Sequence, residues 1–234
     1  MISVVIPAYN EEKRIERSLS ALTSQTVPRE MYEIIVVDGG SNDNTREIAE
    51  KYADKVFIQT SPRVAGARND GFICSQYDLV ATTDADSVVS SNWVESIIKS
   101  FSDPDVALSY GPVTSIEQES GNKRYVYLFN ALIWFGAHSN LYHYTLGCNT
   151  AFRKEALIKA GMYRILDAGD DLEIAVRMRK MGEVKFSPDM KVGFDFRRYE
   201  QFGFWRTIYE WYSIVLQGGI SDKYTYTRRQ YDKY

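Results

Sequence analysis

Tyr77-Asp78-Leu79-Val80-Ala81-Thr82-Thr83-Asp84-Ala85-Asp86 is the stretch that decides the fold. Its apolar run reads as a buried strand, and that strand stops on two carboxylates one residue apart. In an open α/β sheet ligands bind outside the carboxyl ends of the strands, so these acids aim negative charge at the ligand crevice. Such a pair needs a cation. A hard divalent metal, Mg²⁺ or Mn²⁺, is held by one or two protein carboxylates and completes its shell with substrate phosphates. An Asp-x-Asp also suits a plain turn, because Asp bonds its own backbone there, so the neighbouring strand ends have to decide.

Outward from this stretch, the first hundred residues alternate strands with helices. Ile2-Ser3-Val4-Val5-Ile6 is a β-branched run closed by Pro7, residues 11–24 carry Ile15, Leu19 and Leu22 at helical spacing, and Glu33-Ile34-Ile35-Val36-Val37 is a second buried strand. Further βα units follow: a helix over 43–52, a strand over 55–59, a helix over 66–76, a helix over 91–101 and a strand over 106–113. The pattern predicts an α/β fold, a mainly parallel Rossmann-like sheet flanked by helices. After Pro112 the rhythm loosens into an aromatic-rich segment over 122–146, short helices over 153–160 and 170–181, short strands over 183–186 and 191–194, and a last helix over 199–216. The expected organisation is a nucleotide-binding half (1–112), an acceptor and catalytic-base half of the same domain (113–198), and an amphipathic C-terminal helix and tail (199–234).

Two more strand ends deliver polar groups to the same rim. Pro7-Ala8-Tyr9-Asn10-Glu11 follows the first strand and Asp38-Gly39-Gly40-Ser41 the second. A carboxylate at Asp38 can accept from a base imide, and Tyr9 can offer a ring face. Helix starts and turns would explain either segment alone, but not their convergence with Asp84 and Asp86. Arg68, and less directly Arg63, add cations that match a diphosphate.

Composition excludes several classes. A net charge of −3 gives no basic footprint for nucleic acid. Two cysteines, Cys74 and Cys148, without CxxC or Cys/His clustering, form neither a disulfide framework nor a zinc site, and read as core or near-core thiols of a reducing compartment. The first residues lack the basic n-region of a signal peptide, and no run reaches the ~18 apolar residues of a membrane span. The expected location is cytoplasmic or the cytoplasmic face of a membrane.

The order Val4-Val5-Ile6-Pro7-Ala8-Tyr9-Asn10-Glu11, Val36-Val37-Asp38-Gly39-Gly40-Ser41-Asn42-Asp43, Ala67-Arg68-Asn69 and Asp84-Ala85-Asp86 resembles family 2 glycosyltransferases of the GT-A fold, over roughly residues 2–195. The resemblance implies that Pro7, Ala8, Tyr9, Glu11, Asp38, Arg68, Asp84 and Ala85 bind the nucleotide and that Asp86 is a metal ligand. Gly147-Cys148-Asn149-Thr150-Ala151-Phe152-Arg153-Lys154-Glu155 is similar to the segment that precedes the family's acceptor site. Gly169-Asp170-Asp171-Leu172-Glu173 resembles the acidic pair that opens a helix, whose second acid, here Asp171, is the family's catalytic base, with Asp170 the alternative. Acids in a first helical turn are also favoured by the helix dipole without catalytic duty.

The chain departs from the pattern in two places. Many relatives carry a histidine after the strand that follows this helix, where this chain has Val192-Gly193-Phe194-Asp195-Phe196-Arg197-Arg198. Asp195 is a candidate replacement ligand, or a partner of Arg197 or Arg198. The QxxRW signature of processive synthases is absent, and Gln201-Phe202-Gly203-Phe204-Trp205-Arg206 does not match its spacing. The expected activity is therefore non-processive, inverting and metal-dependent transfer of one hexose from a GDP- or UDP-sugar to a lipid-linked or glycan acceptor, as in dolichyl- or polyprenyl-phosphate mannosyl- and glucosyltransferases. The aromatic stretches 125–144 and 202–212 suit core or lid packing, or a membrane surface that presents a polyprenyl-phosphate. A sugar-phosphate nucleotidyltransferase would carry a glycine-rich basic loop where Tyr9-Asn10-Glu11 stands. A non-catalytic sugar-nucleotide-binding module would have no use for both Asp86 and Asp171.

Overall fold

The computed structural model describes residues 1–116, 123–139, 143–195 and 202–219. Its strands are β1 (Ile2–Ala8), β2 (Tyr32–Asp38), β3 (Lys55–Ile58), β4 (Leu79–Thr82), β5 (Val88–Val89), β6 (Val106–Tyr110), β7 (Val113–Ser115), β8 (Thr150–Arg153), β9 (Glu183–Phe186) and β10 (Val192–Phe194). Its α-helices are α1 (Ile15–Thr23), α2 (Thr45–Ala49), α3 (Arg63–Cys74), α4 (Trp93–Ser100), α5 (Lys123–Ser139), α6 (Lys154–Lys159), α7 (Asp170–Met178) and α8 (Phe204–Leu216).

Seven strands form one sheet in the order β3-β2-β1-β4-β8-β6-β9. All pair in parallel except β8, which runs antiparallel to both β4 and β6. Alternation along β1 shows why helices cover both faces. Val4 and Ile6 join Ile34 and Val36 in a core built with Leu19, Trp93 and Ile97, whereas Val5 joins Ile35 and Val37 against Phe72, Ile174 and Met178. The strand β8, from residues 150–153, lies between β4 and β6, so the sheet draws on both sides of residue 112. A second, three-stranded sheet, β5-β10-β7, sits beside it.

Pro7 lies inside β1 instead of closing it. The Val5 carbonyl accepts the Thr83 N–H (3.3 Å), so Val5 faces β4. Pro7, two residues on, faces the same way but beyond the last β1–β4 pair, Val5 with Thr82, where its missing N–H leaves no ladder bond unmade. The expected strand over 106–113 divides at Gly111-Pro112 into β6 and β7, each in a different sheet. Of the two thiols, Cys148 is buried as expected, but Cys74 is exposed at the end of α3.

The aromatic residues of α8 do fall at i+3 and i+4 spacing, yet their face turns outward. Trp205, Tyr209 and Tyr212 are exposed, whereas Thr207, Glu210 and Ile214 are buried. Likewise α5 buries Phe129 and Ile133 and exposes Tyr127, Trp134 and Phe135. Among the described residues, no helix is long and apolar enough to cross a membrane. Arg197, Arg198 and Gln201 lie outside the described residues.

The helix that matters most to the site, α3, lies directly on the sheet. A Cβ at Gly71 would stand 2.3 Å from Val5 Cγ1 and 3.1 Å from Val37 Cγ2, so glycine is what lets the helix approach. Gly71→Ala should therefore cost about 1–3 kcal/mol through overpacking, read as a lowered midpoint in urea unfolding. An unchanged midpoint would show that the helix can lift without penalty.

Candidate active site

The loops after β1 and β2 are stitched together by backbone donors. Asn10 N–H donates to Ser41 Oγ (2.9 Å), Glu11 N–H to Thr45 Oγ1 (2.8 Å), and Asn42 N–H to Asn10 Oδ1 (3.0 Å). Asn10 itself takes a positive φ of 54°, which Asn tolerates better than most side chains. Asp38 is fully buried, and its carboxylate accepts the Gly40 and Ser41 N–H groups at 3.1 and 3.0 Å and the Ser41 hydroxyl. Tyr9 stands over this turn, 60% exposed, with room made by Gly39, whose Cβ would come within 3.2 Å of the ring. Pro7 is half-buried, Ala8 buried and Glu11 half-buried beneath it.

Beyond β4, Ala85 packs into the core at 3% exposure with Val89 and Trp93, and this inward anchor leaves its neighbours Asp84 and Asp86 half-buried past the carboxyl end of β4. Asp84 Oδ1 accepts from Arg68 Nη2 at 2.9 Å. The same guanidinium donates from Nη1 to Asp170 Oδ2 at 3.1 Å. Arg68 is only 5% exposed. It lies beneath the loop at Gly147, where any Cβ would fall 2.4 Å from Nη2, and over the ring of Tyr163, with Cζ 5.6 Å from the centroid. Burial works against its charge, but Asp84 and Asp170 outweigh that and hold the guanidinium firmly protonated.

Gly169, at a φ of 81°, opens α7 and sets Asp170 and Asp171 in its first turn. Asp170 is buried, and burial pushes its carboxyl up despite Arg68. Asp171 accepts the Gly147 N–H on Oδ2 (3.1 Å) and its own helix's Leu172 N–H on Oδ1 (2.9 Å), while Thr145 Oγ1 donates to its carbonyl (2.6 Å). Burial and the adjacent Asp170 charge raise the Asp171 carboxyl, Arg68 and the two N–H groups pull it back, and it is pushed up to about 7. A carboxylate at that value is matched to proton abstraction near neutral pH.

The structure thus brings Arg68, Asp84, Asp170 and Asp171 into one cluster. It places Arg68 between carboxylates, with each arm of the guanidinium on an acid and almost no surface open to solvent. Arg63 pairs with Asp167 at 3.1 Å, and Asp195 with Arg14 at 3.5 Å. Among the described residues, no group of three acids, histidines and cysteines could hold a metal ion by itself. Asp86, a half-buried carboxylate, fits a hard cation that takes its remaining ligands from phosphates. Sequence reasoning missed the supports of the cluster: β8, the Tyr163 ring, and Asn69, whose amide holds both the Tyr163 carbonyl (2.8 Å) and N–H (3.0 Å). Tyr163 stands in a loop without periodicity, so only the neighbouring Ala67-Arg68-Asn69 hinted at its role.

The mainly parallel sheet with one antiparallel strand, β8, is shared with solved structures of the GT-A fold. The pattern of glycosyl transferase family 2 matches residues 3–161, and the chain belongs to that family. It is 38% identical over 118 residues to the glycosyltransferase AglE of Haloferax volcanii, covering 48% of this chain and 39% of that protein. It is 33% identical over 159 residues to the human dolichyl-phosphate beta-glucosyltransferase, covering 57% and 49%. The chain therefore spans about half the length, or less, of these curated relatives. The mannosyltransferase PcManGT of Pyrobaculum calidifontis, solved with GDP-Man and Mn²⁺, shares the fold at a TM-score of 0.71 and 24% identity, over 92% of this chain and 64% of that one.

A raised carboxyl makes folding pH-dependent. The folded chain holds the Asp171 proton more tightly than the unfolded chain, so stability falls as pH rises from the ordinary carboxylate range through about 7. Asp171→Asn removes that slope. Its melting temperature relative to wild type should rise steadily from pH 5 to pH 8, whatever fixed offset the amide brings by facing a backbone N–H. A flat difference would contradict the raised value.

Proposed function

We propose that the chain is the catalytic domain of a metal-dependent, inverting glycosyltransferase that moves one hexose from a GDP- or UDP-sugar to a hydroxyl of a lipid-linked or glycan acceptor. The observation that carries this reading is Asp171, a carboxyl poised at about 7 and tied through Asp170 and Arg68 to the donor-side Asp84. The relatives named above support it, since one is named for glucosyl transfer to dolichyl phosphate and a structural neighbour holds GDP-Man with Mn²⁺.

In this reading the base and ribose lie across Pro7, Ala8, Tyr9, Glu11 and Asp38, with Tyr9 offering its exposed ring and Asp84-Ala85 closing the far side. Asp86 holds the divalent ion, Mn²⁺ or Mg²⁺, with Asp195 as a second candidate ligand. When bound, the ion neutralises the leaving diphosphate as a Lewis acid. Asp171 takes the proton of the acceptor hydroxyl as that oxygen attacks the anomeric carbon from the side opposite the diphosphate. The new C–O bond forms as the bond to the diphosphate breaks, so the anomeric configuration inverts. Asp170, held on Arg68, keeps the start of α7 in register with the donor loop. The exposed aromatics Trp134, Trp205, Tyr209 and Tyr212 support a second reading for the acceptor, a polyprenyl phosphate presented at the cytoplasmic face of a membrane. A phosphate is already ionised, and Asp171 would then not be needed as a base.

Asp171→Asn should lose at least ~10²-fold in kcat with a hydroxyl acceptor while binding nucleoside diphosphate as wild type does. Turnover near the wild-type rate would contradict the base assignment. Calorimetry of GDP and UDP with and without Mn²⁺ should show metal-dependent binding that Asp86→Asn abolishes. Equal affinity without metal would contradict Asp86 as a ligand.

A further inference from the structure

The described part of the cluster holds three acids, Asp84, Asp170 and Asp171, around one guanidinium, and each end of that guanidinium is bonded to one of them. Nη2 is bonded to Asp84 and Nη1 to Asp170, whereas the buried Nε meets no acceptor among the described residues. Gly147 and Tyr163 close over its remaining surfaces. At 5% exposure and beneath the Gly147 backbone the guanidinium presents almost no surface to a ligand, so a direct diphosphate contact requires it to move away from its carboxylate partners. Removing one member of a buried, bonded charge set leaves the others uncompensated, which is strongly unfavourable. The arrangement therefore resists such a movement.

We propose that Arg68 is a positioning residue and not a phosphate ligand: it bolts Asp84 of the donor loop to Asp170 of α7, and through Asp170 sets the location and charge environment of Asp171. The proposal rests on the reading of Asp171 as the base. Charged and titratable groups facing Asp171 come from three elements besides its own helix neighbour Asp170. They are Arg68 on α3, Cys148 before β8 and Tyr163 after α6, while Asp84 after β4 meets the set through Arg68 and Asp170. Burial pushes the Cys148 thiol and the Tyr163 phenol up, so both stay neutral near pH 7. Arg68 is then the positive member of a set in which Asp84, Asp170 and the ionised Asp171 are negative. Without it, Asp171 would hold its proton to higher pH and would be a working base only under more alkaline conditions.

The test is the pH profile of kcat/KM with a hydroxyl acceptor for wild type, Arg68→Met and Arg68→Lys, beside calorimetry of GDP and UDP with Mn²⁺. The acid limb should move up by at least about one pH unit in Arg68→Met. Arg68→Lys, which keeps the charge but reaches a single carboxylate, should fall between the two; it also carries the test if the methionine variant does not fold. Nucleoside diphosphate affinity should change by less than the ~10-fold that loss of a charged phosphate contact brings. An unmoved acid limb overturns the proposal. When that is accompanied by a tenfold or greater loss of nucleoside diphosphate affinity, Arg68 is a diphosphate ligand instead. A wild-type profile without an acid limb, or an active Asp171→Asn, overturns the base reading itself and is told apart by the wild-type and Asp171→Asn measurements alone.

Discussion

The constraint on which the rest depends is the burial of a single guanidinium between carboxylates from two distant parts of the chain. Arg68 stands on α3, Asp84 follows β4, and Asp170 begins α7, 102 residues from Arg68 in sequence. A buried arginine needs its charge met on the spot, and the buried Asp170 would be costly to ionise without it. The three groups therefore fix one another. Because α3 is pressed onto β1 through Gly71, the position of the guanidinium is inherited from the sheet, and with it the distance between the loop after β4 and the start of α7.

The surrounding architecture serves the same end. Ala85 is drawn into the core so that Asp84 and Asp86 remain half-buried past the carboxyl end of β4, and the loops after β1 and β2 lock each other through Ser41, Thr45 and Asn10. The C-terminal end of α8 closes on the segment before α7. Asp167 N–H donates to the Gly219 carbonyl at 2.6 Å, and a Cβ at Gly169 would meet Val215 Cγ2 at 2.8 Å. The price is a start of α7 that carries two raised acids. A carboxyl held at about 7 is destabilising once ionised, and its retention in a well-bonded site is the kind of local conflict expected where chemistry is done.

Much of this was legible in the residues. The β-branched runs at 2–6 and 33–37, the spacing of Ile15, Leu19 and Leu22, and acids at successive strand ends led directly to a doubly covered, mainly parallel sheet. What could not be read were features set by tertiary contacts. Strand β8 follows Gly147-Cys148-Asn149 without a pattern of its own; it is a strand because the gap between β4 and β6 supplies partners on both sides. The outward turn of the α8 aromatics is equally invisible to periodicity, which identifies a stripe but not the side that meets the core. For Arg68, residue type suggested a phosphate, whereas its burial and its two carboxylate partners are set by tertiary contacts that no local pattern announces.

The most direct test of this account is a crystal structure of the chain with GDP or UDP and Mn²⁺. The account predicts the ion on Asp86 and the diphosphate, with Arg68 still bridging Asp84 and Asp170 and Asp171 facing the open side of the sugar-binding crevice. An Arg68 side chain withdrawn from Asp170 and laid against the diphosphate would contradict it.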